Sequence, residues 1–254
     1  MNQIIIERDD SIEYRTRDLT ICTEQILYNS IFISIDDFTN TNKYKIIGSI
    51  SYDVTGAKFN KEPKSPFAKK GDYKALCDDW YKNVVKKYNC GLTADLHILA
   101  IRNRLGNFSY DDIRKAYKKL MNMATSKKIT SIEDGITYYS MYAADTNSVL
   151  KNYCKLNSPY KVPTDKYAKN PSSTWLKTEI MNNRPIVLSY HINTENGKSG
   201  HAVTVFSFRK AKKISSGNTY NYIGVFDGWT NTPRFINYTT VDFTGITEAY
   251  SYNF

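Results

Sequence analysis

Four cysteines and three histidines carry most of this chain's capacity for nucleophilic and proton-transfer chemistry, and they stand far apart: Cys22, Cys77, Cys90 and Cys154, with His97, His191 and His201. There is no Cys-x-x-Cys pair and no Cys/His cluster at zinc-ligand spacing, so the pattern implies neither a metal site nor a disulfide framework. An even count permits two bridges in an oxidising compartment, but a chain of this length does not need them. One thiol is distinguished by the residues on its C-terminal side. Ala94, Ile98, Ile101 and Leu105 recur at helical spacing, with Leu92, Leu96 and Leu99 beside them and Gly106 at the expected stop. This predicts an apolar helix over 91–105 that begins at Cys90. A thiol in the first turn of a helix faces unpaired N–H groups and the positive end of the helix dipole, which favour thiolate. Cys22, Cys77 and Cys154 begin no such helix. The competing reading of Cys90 is a buried structural cysteine.

A nucleophilic thiol needs a base. His97 lies seven residues along the same helix, two turns or ~10 Å away, and is expected to pack or to meet solvent. His191 ends one predicted strand and His201 begins the next, so each could reach the helix terminus from a sheet edge. The surroundings favour His201: Lys198-Ser199-Gly200-His201-Ala202-Val203-Thr204-Val205-Phe206 puts it after a glycine and at the mouth of an apolar strand. The next strand closes with Ile223-Gly224-Val225-Phe226-Asp227-Gly228-Trp229. If the turn at 215–218 closes a hairpin, antiparallel pairing brings His201 and Asp227 together. A carboxylate on one ring nitrogen would fix the tautomer and orientation of the base. Asp227 could instead form an Asx turn before Gly228, and Trp229 could shield the pair from water or anchor the core.

The elements that must position these residues fall into three stretches of a 254-residue chain. Residues 1–60 alternate short β-like runs, at 4–7, 19–27, 31–35 and 45–52, with polar turns. Residues 61–71, with Pro63, Pro66 and four lysines, read as an exposed linker. Residues 72–183 are mainly helical. Capping patterns Ser109-x-x-Asp112 and Ser131-x-x-Asp134 each predict a helix, and a loop with Pro159, Pro163 and Pro171 leads to a short helix over 174–181. Residues 184–254 read as antiparallel β, with strands at 185–191, 201–209, 220–226, 234–238 and 247–252 separated by turn-forming sequence. The fold class is therefore α+β, with residues 72–254 holding Cys90, His201 and Asp227. Residues 1–60 fit a β extension, a propeptide or a partner-binding module.

A formal charge of +10 and a pI near 9.2 favour acidic partners, anionic surfaces among them. The basic residues come in scattered pairs such as Lys69-Lys70, Lys86-Lys87 and Lys118-Lys119, which is the pattern of a solvated surface. No basic stripe interleaved with aromatics points to nucleic acid. No stretch approaches the ~20 apolar residues of a membrane span, and charge interrupts the first apolar run too early for a signal peptide. A soluble protein is expected, with secretion or a larger exported parent left open and no cofactor implied.

Three segments carry a family resemblance: Asn89-Cys90-Gly91-Leu92-Thr93-Ala94, Gly200-His201-Ala202-Val203 and Val225-Phe226-Asp227-Gly228-Trp229. With Arg184-Pro185-Ile186-Val187 ahead of the histidine strand, the order and spacing resemble those of papain-like (clan CA) cysteine peptidases, particularly the bacterial C39-like and streptopain-like branches. The first segment stands beside their Cys-Gly-Pro-Thr-Ala and the third beside the papain-type Asn-Ser-Trp. The resemblance covers about 72–254. It implies a left helical subdomain led by the nucleophile helix, a right β subdomain carrying His and Asp, and a cleft between them that takes a peptide or protein substrate. Leu92 replaces the usual proline, and Val84 stands where the family's oxyanion-hole glutamine would lie. Asn83 is the nearest substitute donor, Asn89 and Gln25 are weaker ones, and the Cys90 backbone N–H is expected to contribute. The same thiol could serve acyl transfer or cleavage of a cell-wall amide, and the same scaffold could serve as a non-catalytic binding or adhesion module.

Overall fold

The computed structural model describes residues 31–51, 90–102, 110–126, 131–133, 136–138, 142–157, 161–194, 197–228 and 233–254. It is a mixed α+β fold built on one large antiparallel sheet. The strands are Phe32–Ser34 (β1), Tyr44–Ser51 (β2), Thr164–Lys169 (β5), Ile186–Thr194 (β6), Gly197–Lys213 (β7), Thr219–Phe226 (β8), Arg234–Asn237 (β9) and Glu248–Asn253 (β10). They run in the order β1-β9-β8-β7-β6-β10-β5, with β2 also paired to β7. A small hairpin of Ser131–Glu133 (β3) and Ile136–Tyr138 (β4) stands apart from it. The helices are Ile35–Thr39 (α1), Cys90–Arg102 (α2), Tyr110–Ser126 (α3), Ala143–Leu156 (α4) and Ser173–Met181 (α5).

Strand β7 organises the sheet because it is long enough to hold three partners. Its first half pairs with β6, from Thr194↔Gly197 to Ile186↔Val205. Its second half pairs with β2 and β8. Side chains alternate between the two faces of a strand, and here both faces are apolar. On one face, Val187, Ala202 and Tyr252 pack against Leu92, Leu96 and Leu99 of α2, with Leu120 of α3 and Leu150 of α4 behind them. On the other, Leu188, Val203, Val205 and Ile223 meet Leu176 and Ile180 of α5. Each such leucine or isoleucine contributes about 1.5–3 kcal/mol by leaving water. At the far end of the sheet Phe38 of α1 stacks on Phe235, centroids 4.1 Å apart, and meets Tyr222 and Tyr44.

The structure departs from the sequence reading in three places. Ser131-x-x-Asp134 caps no helix: Ser131, Ile132 and Glu133 pair with Tyr138, Thr137 and Ile136. Asp134-Gly135 between two β-prone triplets is a hairpin signal, and it outweighs the capping pattern. The proline-flanked stretch read as loop contains β5. It is an edge strand whose residues are exposed or half-buried throughout, so no apolar alternation marks it. Helix α1 is a further difference, although Ser34 caps it by accepting from the Asp37 N–H at 3.1 Å. Strands β1 and β2 come from the stretch read as an N-terminal extension and lie in the main sheet. The expected strands at 4–7 and 19–27 and the linker 61–71 lie outside the described residues. No helix among the described residues is long and apolar enough to cross a membrane.

Two buried acids are treated in opposite ways. Glu179 of α5 accepts from Ser251 Oγ at 2.8 Å, Arg184 at 3.0 Å and Lys166 at 3.3 Å. Burial pushes its carboxyl up, but these donors outweigh it and hold the group below the usual range. Asp95 of α2 is fully buried, and neither oxygen has a hydrogen-bond partner among the described residues. Burial pushes its carboxyl well above the ordinary 3.8, so the fold favours its protonated form. Its contribution to stability is therefore complete below about pH 4 and is lost as the pH rises. Asp95→Asn is expected to raise the stability measured by urea unfolding at pH 7 by on the order of 1–3 kcal/mol. The gain is expected to shrink towards zero near pH 4; a gain that is equal at both pH values would contradict this account.

Candidate active site

Three segments converge at the N-terminus of α2. Helix α2 is buried along its whole length from Gly91 to Ile101, so its position is fixed by packing. One hydrogen bond sets its position along β7: Thr204 Oγ1 donates to the Ala94 carbonyl at 3.0 Å in the core. The β7–β8 ladder stops at Thr204↔Phe226, which leaves the start of β7 without a partner on that side. There the Ala202 backbone N–H points at the Cys90 sulfur, as do the N–H groups of Gly91 and Cys90 itself. The third segment is the Asp227-Gly228 turn. Gly228 has φ +79°, and a methyl group added to it would come within 3.0 Å of Thr93 Cγ2. Glycine is needed here both for the left-handed backbone and for the close approach to the first turn of α2.

His201, the neighbour of Ala202, is buried and lies edge-on to Tyr190 at 5.9 Å between centroids. Its Nε2 sits 3.1 Å from the main-chain carbonyl oxygen of Asp227. A carbonyl can only accept, so Nε2 carries the proton and Nδ1 is the nitrogen that takes up another. Asp227 thus orients the imidazole through its backbone. The hairpin brings the two residues together as its turn suggests, although a register shift between Val205 and Ser207 alters the simple pairing. The Asp227 carboxylate forms a buried ion pair with Arg234 of β9. The Arg234 guanidinium in turn lies 4.0 Å over the Phe32 ring of β1. Sequence reasoning missed Arg234 and Phe32; the one usable signal was an arginine opening an apolar strand, Arg234-Phe235-Ile236.

Burial dominates the electrostatics. It pushes the Cys90 thiol up, against the opposing N–H groups of Ala202, Gly91 and Cys90. It pushes His201 down to about 3, with the Asp227 carbonyl opposing and the Arg234 charge assisting. Burial thus works against the thiolate that the helix terminus favours, and His201, which leaves β7 on the row opposite Ala202, is held neutral near neutral pH. Cys90 is partly exposed while Cys154 is buried, and burial pushes the Cys154 thiol up to about 12. His97 is packed, as expected, with its ring 5.2 Å from that of Phe226. Asn83, Asn89, Gln25, Trp229, Cys22 and Cys77 lie outside the described residues.

Burial also holds His97 at about 3. Both histidines remain neutral in the fold but take up a proton near pH 6.5 once unfolded. Their contribution to stability is complete above about pH 6.5 and is lost as the pH falls towards 3. His97→Phe keeps a ring against Phe226 and removes one of the two titrating groups. Its unfolding free energy is expected to fall less than that of the parent between pH 6.5 and 4, measured by urea denaturation; an unchanged difference would remove His97 from the acid response.

No protein-family model matches the chain, and no curated protein matches it.

Proposed function

We propose that the chain is a papain-like cysteine peptidase in which Cys90 is the nucleophile, His201 the general base and Asp227 the residue that orients the base. The observation that supports this reading is that Ala202, next to His201 in β7, turns its N–H to the Cys90 sulfur, while Asp227 accepts from His201 Nε2. In the reaction, Nδ1 of His201, brought round the open edge of β7 to Cys90, takes the thiol proton as sulfur attacks the carbonyl carbon of a peptide bond. The Cys90 backbone N–H at the start of α2 supports the oxyanion. The tetrahedral intermediate collapses, the C–N bond breaks, and the imidazolium returns its proton to the departing amine. Water, deprotonated by the same nitrogen, then releases the acid and restores the thiol. Helices α2 to α4 on one face of an antiparallel sheet, with the thiol at the N-terminus of α2, also fit the layout such a peptidase uses.

Because the thiol rests protonated, alkylation of Cys90 is expected to accelerate with pH beyond pH 8.5 rather than to plateau near neutrality. Cys90→Ala is expected to abolish both hydrolysis of a denatured protein and labelling by a thiol-directed peptide electrophile. His201→Ala is expected to lower hydrolysis by about 10³-fold or more. Labelling at Cys22, Cys77 or Cys154 in its place would overturn the assignment. The raised thiol of Cys90, with His201 on the opposite row of β7, favours a second reading, a binding module on the same scaffold. Stoichiometric labelling of Cys90 with no hydrolysis of any protein would select it.

A further inference from the structure

The sequence favours His201 over His191 as the base, yet the register places His191 on the same face of the sheet as the thiol. It pairs with Gly200 across the β6–β7 ladder, and the ladder is unbroken from Thr194↔Gly197 to Ile186↔Val205. Cross-strand partners share a face, and so do residues two apart along a strand. Gly200, Ala202 and Thr204 therefore form one row facing α2. Thr204 binds the Ala94 carbonyl, Ala202 lies against Cys90, and Gly200 is the next position outwards, about 7 Å further along the strand. Gly200 has no side chain there, and the His191 ring occupies the space: a Cβ on Gly200 would lie 3.1 Å from His191 Nε2 and 3.2 Å from Cδ2. His191 and Gly200 are both exposed, whereas His201, on the opposite row, is buried. The row thus runs from the core joint, past the sulfur, to an imidazole open to solvent.

We propose that His191 lines the cleft beside Cys90 and is a specificity residue that binds an acidic side chain of the substrate next to the scissile bond; this second half rests on the peptidase reading above. An imidazole offers an N–H donor to a carboxylate, and the chain's net charge of +10 draws acidic peptides towards it. The side chain is pinned by its seat on Gly200, so a carboxylate meets a donor in a fixed place.

The test measures charge at the thiol without requiring turnover. Cys90 is alkylated at one fixed pH with iodoacetate, which is anionic, and with iodoacetamide, which is neutral; the ratio of the two rates cancels the thiolate fraction. His191→Lys is expected to raise that ratio, and His191→Glu to lower it, each by about two- to fivefold. A purely structural role for His191 would not move the ratio in opposite directions. Ratios for both variants equal to that of the parent would overturn the placement of His191. The ligand class is read by protection of Cys90 from iodoacetamide with acetyl-Ala-Glu-Ala-Ala amide and its Gln counterpart. The parent is expected to be protected several-fold better by the Glu peptide, and His191→Ala to lose that preference; equal protection by the two peptides would overturn the acidic specificity. Neither readout depends on hydrolysis, so failure of the peptidase reading would appear separately, as intact protein substrate in the presence of a reactive Cys90.

Discussion

The hydrogen bond from Thr204 to the Ala94 carbonyl joins a helix to a strand and sets where the one lies along the other. Apolar packing holds α2 on the sheet but is indifferent to small sliding, because one leucine contact resembles the next. A directional bond in a dry core is not indifferent. With Ala94 tied to Thr204, the sulfur one turn earlier on the helix comes to lie against Ala202, two residues earlier on the strand. The placement of the thiol against β7 is therefore a property of this joint rather than of either element alone.

Behind the imidazole the constraint continues as a relay of unlike contacts. Phe32 supports Arg234, Arg234 holds the Asp227 side chain, and the Asp227 backbone holds His201. Removing one partner of a buried ion pair leaves the other uncompensated, so the strand from the N-terminal stretch and the turn that orients the histidine are energetically linked. Gly228 seals the same turn onto the first turn of α2. Rigid support from several directions is what a site needs if its groups are to stay in register without solvent.

Much of this layout could be read from residue order. The helical period after Cys90, the apolar strand after His201 and the turn at 215–218 each appear as local patterns, and local patterns are what a sequence displays. What escaped was whatever depends on distant partners. Strand β5 faces solvent on its outer edge and has no apolar alternation to reveal it. The division of labour within Asp227, backbone to the histidine and carboxylate to Arg234, depends on partners from two other strands. His191 looks like a spare histidine in the sequence because its placement depends on what Gly200 lacks. The opposing effect of burial on the thiol was also hidden, because helix-terminus electrostatics are local, whereas burial is set by the whole packed core.

The joint at Thr204 has a consequence for biosynthesis. Ala94 and Thr204 are 110 residues apart, and a ribosome adding 5–20 residues per second needs roughly 5–20 s to make that span. Throughout that interval Cys90 exists without the strand that carries its proposed base. The thiol is made early and its partner late, so the pair is assembled only when the β half has been completed and folded back. Under the proposed function, the wide spacing would act as a timer that keeps the two groups apart while the chain is still unfolded.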